Sequence, residues 1–280
     1  MPFTFAHAAA AAPIWYVLRK RLVLSALVIG CMSPDFEYFV QLKMRRTISH
    51  EWYGLVLLDL PLALGALWLL HRVLKRPLLL LLPERLAHLR SIGDGRFDFF
   101  PFGRFCKLCI SILLGAASHV VWDSMTHING WTVRHVAFFR RLLLAGTPLE
   151  KPVYTFLQNG CTVFGMAFLL LWVVHTLQRI PARPAQCVLP FKTRARVLLL
   201  LGACALAAGA ANALAGNPFG SDPVALKQAV VHGLLGAVSG GALAMLVYAI
   251  FAIQPKYLDL TMTRAKPATR RASARRTPRP

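Results

Sequence analysis

The segment FCKLCISILLGAASHVVWDSMTHINGW, Phe105–Trp131, governs how the rest of the chain is read. Residues 105 to 126 are apolar over the roughly 20 residues that a helix needs to cross the hydrocarbon layer of a bilayer. The end of this segment nevertheless carries His119, Asp123 and His127. Ionisable groups at such depth are costly and are retained where they face one another or a functional cavity. Residues four apart share one face of a helix, so the three form a stripe. Gly115 and Ser111 continue it toward the other end, and their small side chains let a neighbouring helix come close.

Four further apolar runs lie near 53 to 73, 159 to 178, 197 to 216 and 229 to 253. With 56% apolar and 15% charged residues among 280, the chain has too little polar surface to cover a soluble globule. The expected class is therefore all-α, a polytopic integral membrane helical bundle with about five transmembrane helices. The apolar stretch from Phe5 to Met32 is divided by Pro13 and by Arg19, Lys20 and Arg21 into pieces shorter than a span. It reads as two N-terminal interfacial or re-entrant helices. A single membrane-embedded helical domain is expected over 1 to 260. The basic segment 261 to 280 lacks apolar periodicity and is expected to be a disordered cytoplasmic tail. MPFTFAH lacks a basic n-region, so no cleaved signal peptide is expected.

The net charge of +21 is unevenly spread. Lys and Arg concentrate in 72 to 104, 179 to 196 and 254 to 280, and are sparser in 43 to 51, 128 to 157 and 217 to 228. That alternation follows the positive-inside pattern and places the C-terminus in the cytoplasm and Ile128 to Gln158 outside. Trp52, Tyr53, Trp122, Trp131 and Tyr154 then fall at the outer interface, as an aromatic belt requires. The basic tail is read as resting on anionic membrane lipids, with no specific nucleic-acid partner. Of six cysteines, Cys106 and Cys109 form the one CxxC pair, with no second pair to complete a zinc site, and all six are read as structural.

This topology brings His7, Asp35, His50, His119 and Asp123 toward one pocket at the outer membrane surface. Imidazole and carboxylate donors arriving from separate elements are what a hydrolytic metal site requires, with a divalent ion, zinc by its donor types, held while one position stays open. The bland alternative is a buried His119–Asp123 pair that only satisfies two polar groups. Asp35 and Glu37 are the candidate catalytic carboxylates, and His127 and Glu37 are each also read as a metal ligand or a supporting partner.

The opening MPFTFAH, then ALVIGCMSPDFEYF, RRTISH and GAASHVVWDSMTHINGW, together resemble the domain of unknown function 4184 family of bacterial membrane proteins. These motifs cover most of the first 131 residues, with a weaker match through Val153, Tyr154 and Gln158. That family is similar in pattern to inner-membrane metal-dependent hydrolases. Their hallmarks are an N-terminal His, a Pro-Asp-x-Asp motif, a Thr-His or Ser-His, and a later Ser-His-x-x-x-Asp. By position these imply roles for His7, Pro34 and Asp35, Ser49 and His50, and Ser118, His119 and Asp123. Glu37 stands where the larger group often has a second Asp, and Arg46-Thr47-Ile48 replaces its approach to the later His. The resemblance implies residence in a bacterial cytoplasmic membrane.

Other polar residues read more plainly. Asp59, counted at 100° per residue from His50, falls on the opposite helix face and is expected to pair within the bundle. His71, His88 and His175 read as cytoplasmic-side snorkelling or loop residues, and His232 as a peripheral candidate. Arg45, Arg46, Arg134, Arg140 and Arg141 read as interfacial charge that also suits phosphate or lipid head groups. Two functions follow as expectations. One is a membrane hydrolase acting on an ester or phosphoester, including a lipid-linked one, at the outer face. The other is a carrier or ion-binding protein, against which stands the scarcity of polar groups beyond residue 158.

Overall fold

The computed structural model describes residues 3–18, 21–45, 47–83, 86, 88–90, 95–180, 187–216, 222–252 and 263–264. Arg46 and all of the expected tail at 261 to 280 except Thr263 and Arg264 lie outside the described residues.

The chain opens with a 3-10 turn, Thr4–Ala10, that runs into α1 (Ala11–Leu18), followed by α2 (Leu24–Gly30). A tight turn, Ser33–Asp35, leads into α3 (Phe36–Gln41). Leu42 ends α3 at φ 55, in the left-handed region, so the chain turns away from the helix axis toward His50.

The first long segment, Leu55–Leu80, contains α4 (Leu60–Leu69) and α5 (Lys75–Leu80), with π-helical turns at Leu55–Asp59 and Leu70–Leu74. Then come α6 (Phe102–Thr126) and the short α7 (Trp131–His135). β1 (Leu142–Leu143) pairs antiparallel with β2 (Lys151–Pro152), setting Leu142 opposite Pro152. Next are α8 (Val153–Gln178), β3 (Cys187–Val188), α9 (Phe191–Gly216) and α10 (Pro223–Ala252). β4 (Thr263–Arg264) pairs antiparallel with β3.

Local chemistry marks the helix starts. Pro101 and Pro152 sit extended at the N-caps of α6 and α8, where a missing backbone N–H costs no helical bond. The Asp222 carboxylate accepts from the Val224 and Ala225 N–H groups, each at 2.8 Å, and caps the start of α10.

Among the described residues, five helices are long and apolar enough to cross a membrane: Leu55–Leu80, Phe102–His135, Val153–Gln178, Phe191–Gly216 and Val224–Ala252. They match the five expected spans in number and place, and the chain is a multi-pass membrane protein. Large apolar side chains such as Phe164, Leu171, Leu199 and Leu206 stay exposed on α8 and α9, as a lipid-facing surface allows.

The buried core is small and lies between the N-terminal segment, α4 and α6, where Ala26, Ile29, Ala63, Leu67, Leu108 and Ile112 pack together. The stripe of small residues on α6 does what its composition suggests. A Cβ on Gly115 would lie 2.5 Å from the Leu27 carbonyl oxygen and 2.6 Å from the Cys31 nitrogen, so α2 and α6 run in backbone contact. Ser111 Oγ accepts the Val23 N–H at 2.9 Å, serving the otherwise open start of α2.

Candidate metal centre

The close passage of α2 along α6 fixes the central imidazole. Cys31, held against Gly115, presents its carbonyl to His119, and Nδ1 of His119 donates to it at 2.8 Å. That bond selects the tautomer and leaves the Nε2 lone pair facing into the bundle. One turn later Asp123 points the same way from α6, and both side chains are buried.

His7 reaches them from the Thr4–Ala10 turn. Its ring stacks on His119 with centroids 3.8 Å apart, and its Nε2 lies 3.4 Å from Asp123 Oδ1. Burial first, and the proximity of His119 second, lower the His7 pKa to about 3 against the opposing pull of Asp123 and Asp35. The ring is therefore neutral near pH 7 and keeps a lone pair to donate.

Asp35 comes from the Ser33–Asp35 turn and is completely buried. Oδ2 accepts the Thr4 hydroxyl at 2.6 Å, while Oδ1 stands 3.5 Å from His119 Nε2 and 3.9 Å from His50 Nε2. Burial pushes this carboxyl upward, but the neighbouring His119 and the Thr4 hydroxyl outweigh it and hold the pKa below the ordinary value.

His50 is delivered by the loop before the first span. Its Nδ1 is 2.9 Å from Ser49 Oγ, and its Nε2 is 3.4 Å from Asp123 Oδ2. Gly54 makes that loop possible, because a Cβ there would lie 1.7 Å from the Ile48 carbonyl oxygen.

All five residues assigned to metal by the sequence therefore meet: His7, Asp35, His50, His119 and Asp123. Two triads, His7 with His119 and Asp123, and Asp35 with His50 and His119, each keep their ligand atoms within 4.8 Å of one another. Three inward atoms, Asp35 Oδ1, His50 Nε2 and His119 Nε2, are buried with no hydrogen-bond partner among the described residues. Buried polar atoms are nearly always satisfied, so this concentration calls for an occupant. The separations of 3.4 to 3.9 Å between these atoms are long for hydrogen bonds. They suit ligands of a shared ion, since two atoms about 2.0–2.1 Å from a tetrahedral metal stand roughly 3.4 Å apart. The donor set of imidazole nitrogens and carboxylate oxygens fits a borderline divalent ion.

His127 stands at the edge. Its Nδ1 lies 3.3 Å from Asp123 Oδ1, and its side chain is 13% exposed. Glu37, a candidate catalytic carboxylate, is engaged elsewhere: Oε1 accepts the Thr47 N–H at 2.8 Å, the Thr47 hydroxyl, and Gln41 Nε2 at 2.8 Å. Burial raises its pKa, yet the Thr47 and Ser49 donors outweigh that and lower it. Its visible work is to clamp the loop that carries His50.

Asp59 differs from the sequence expectation. It is fully buried, and neither carboxylate oxygen has a hydrogen-bond partner among the described residues. The turn Leu55–Asp59 packs against α6 and the Ser33–Asp35 turn, so Asp59 neighbours the cluster's supports. Counting 100° per residue from His50 fails because residues 51 to 53 are not helical and 55 to 59 form a π-turn. Pro61, which lacks the N–H that would bond Leu57 in an α-helix, is the local signal for that irregularity.

The remaining histidines lie apart. His71 is no snorkelling residue: its Nε2 meets Ser25 Oγ at 3.0 Å and its ring stacks on Phe97 at 3.7 Å. His232 sits in the α9–α10 hairpin, where its carbonyl accepts Asn212 Nδ2 at 2.7 Å and its ring lies against Gly216. His175 and Arg45, Arg134, Arg140 and Arg141 are exposed.

A family described as Domain of unknown function (DUF4184) matches residues 1–250. No curated protein and no solved structure matches the chain.

Proposed function

The chain belongs to the DUF4184 family, and on that premise we propose, from the site, a membrane hydrolase that uses one divalent metal ion, zinc by its donor set, on an ester or phosphoester. The observation that carries this reading is the convergence of five ligand-type side chains, four of them buried and His50 nearly so, with three inward-facing atoms lacking hydrogen-bond partners among the described residues. A satisfied structural pair would close its hydrogen bonds, and this cluster leaves them open.

His7, His50, His119, Asp35 and Asp123 would be the side chains from which the ion draws its ligands, with one position left for water. Both triads share His119, whose Nδ1 is bound to the Cys31 carbonyl. A single nitrogen with a single lone pair serves one ion, so the reading is mononuclear. When bound, such an ion supplies Lewis-acid stabilisation of developing oxygen charge and lowers the pKa of a coordinated water.

The chain's own groups do the rest. Thr4 and the Cys31 carbonyl fix the Asp35 and His119 orientations, as supporting shells do in metal sites. His127, partly open and 3.3 Å from Asp123, is placed to pass a proton between the site and solvent. With the C-terminus cytoplasmic by the positive-inside pattern, the cluster's end of the bundle is the outer face, in a bacterial inner membrane by the resemblance of the motifs. A lipid-linked substrate is within reach there. The spans α9 and α10 contribute none of the five ligands, which disfavours a carrier built across several spans.

The test is hydrolysis of ester and phosphoester lipids by purified protein in liposomes, before and after chelation, for the wild type and for His50→Ala and His119→Ala. Metal-dependent turnover lost in both variants is the expected result. Chelation-insensitive turnover, or variants as active as the wild type, would refute it.

A further inference from the structure

We propose that the apolar groove between the N-terminal turn, α1 and α8 holds one hydrocarbon chain of the substrate, whose ester or phosphoester head lies at the cluster. This rests on the hydrolytic reading and adds the substrate class, a lipid with a long chain. The groove encloses about 890 Å3, within the roughly 300–1,000 Å3 of small-molecule sites. Its walls are almost entirely apolar, with Phe164 and Phe168 on α8 and Ala9 and Val17 across from them.

Ordinary lipid-facing surface ends at helix ridges, whereas this groove reaches His7. That imidazole lines the groove and also stands 3.4 Å from Asp123 and stacked on His119. Groove and cluster thus adjoin across one shared side chain, His7, which is 5% exposed.

The dimensions suit a chain. The wall from Leu157 to Trp172 on α8 is roughly 22 Å long at a helical rise of about 1.5 Å per residue. That exceeds the roughly 15 Å depth of one leaflet's hydrocarbon. The Thr4–Ala10 turn runs alongside it: Phe3 N–H donates to Thr162 Oγ1 at 3.2 Å, and a Cβ on Gly165 would lie 3.2 Å from Ala6. His7, next to Ala6, therefore sits near the middle of the wall, with roughly 10 Å of it, from Gly165 to Trp172, running inward. Gly160 leaves width in the groove, since a Cβ there would meet only Phe164, at 3.9 Å.

The experiment uses the full chain in detergent and a single-chain C16 lysophospholipid carrying a photoactivatable group near the chain end. Crosslinks are mapped by mass spectrometry, and metal content is measured on the same samples. In the wild type the label should be saturable and fall on the inner part of the α8 wall, around Phe168 and Trp172. Gly160→Leu and Ala9→Phe, which fill the groove from opposite walls, should each cut that labelling about tenfold with metal retained. Unchanged labelling in both variants, or wild-type label spread over the exposed face of α9, would overturn the groove while leaving the metal centre intact. Saturable groove labelling of a wild type that binds no metal would instead overturn the hydrolytic reading, and the substrate assignment with it.

Discussion

Removing Asp123 separates a metal centre from a structural ion pair. Its Oδ1 faces His7 at 3.4 Å and His127 at 3.3 Å, and its Oδ2 faces His50 at 3.4 Å and His119 at 3.7 Å. No other carboxylate among the described residues meets so many imidazoles. If the cluster binds an ion, wild-type protein should gain about 2.7 kcal/mol of stability when free metal is raised to 100 times its Kd, and about 4.1 kcal/mol at 1,000 times. Asp123→Ala should lose nearly all of that increment. The assay is thermal or denaturant unfolding in detergent, with chelator and with buffered zinc, for the wild type, Asp123→Ala and the double variant His119→Leu, Asp123→Leu. A structural pair behaves differently, because breaking one partner of a buried pair costs about 3–5 kcal/mol whatever the metal, and replacing both by apolar residues is close to neutral. A metal-dependent increment in Asp123→Ala equal to that of the wild type would refute the reasoning. So would a double variant that matches the wild type in zinc while the single variant falls far below both.

Glu37→Ala should release the Thr47 loop and lower metal affinity about 10–100-fold, as loss of a supporting contact does, whereas Glu37→Gln should keep most affinity and turnover. Abolished turnover in Glu37→Gln with full metal content would make Glu37 a catalytic base. Asp59→Asn should leave metal content unchanged and the fold at least as stable, because it removes an ionisable group with no hydrogen-bond partner among the described residues; lost metal, measured by elemental analysis, would place Asp59 in the centre. A reporter fused at Pro280 should be active only on the cytoplasmic side, and labelling of single cysteines introduced between Ile128 and Gln158 should occur only from outside; the reverse pattern would turn the site inward.

The five spans were legible because apolar length alone defines them, and the residues around Phe105–Trp131 already showed the striped face of His119 and Asp123. The meeting of His7, Asp35, His50, His119 and Asp123 was legible in part because the expected spans put those residues at one end of the bundle, and in part because the motifs that carry them resemble those of a known family. What escaped the sequence depended on irregular backbone. Which of its readings Glu37 takes, support of the His50 loop, is set by a loop that folds back where Leu42 adopts positive φ and Gly54 admits the Ile48 carbonyl. The burial of Asp59 follows from the π-turn before Pro61, which a regular helical count misplaces. The groove at His7 arises from packing of a 3-10 turn against α8, and no local pattern announces contact between residues so far apart in the chain.

The central claim is tested most directly by X-ray absorption at the metal edge of the purified, zinc-loaded chain, with stoichiometry from elemental analysis. One ion per chain is expected, surrounded by nitrogen and oxygen ligands at about 2.0–2.1 Å with an imidazole scattering signature, and lost in His119→Ala. A chain that binds no ion, or an ion ligated by sulfur at about 2.3 Å, would contradict it.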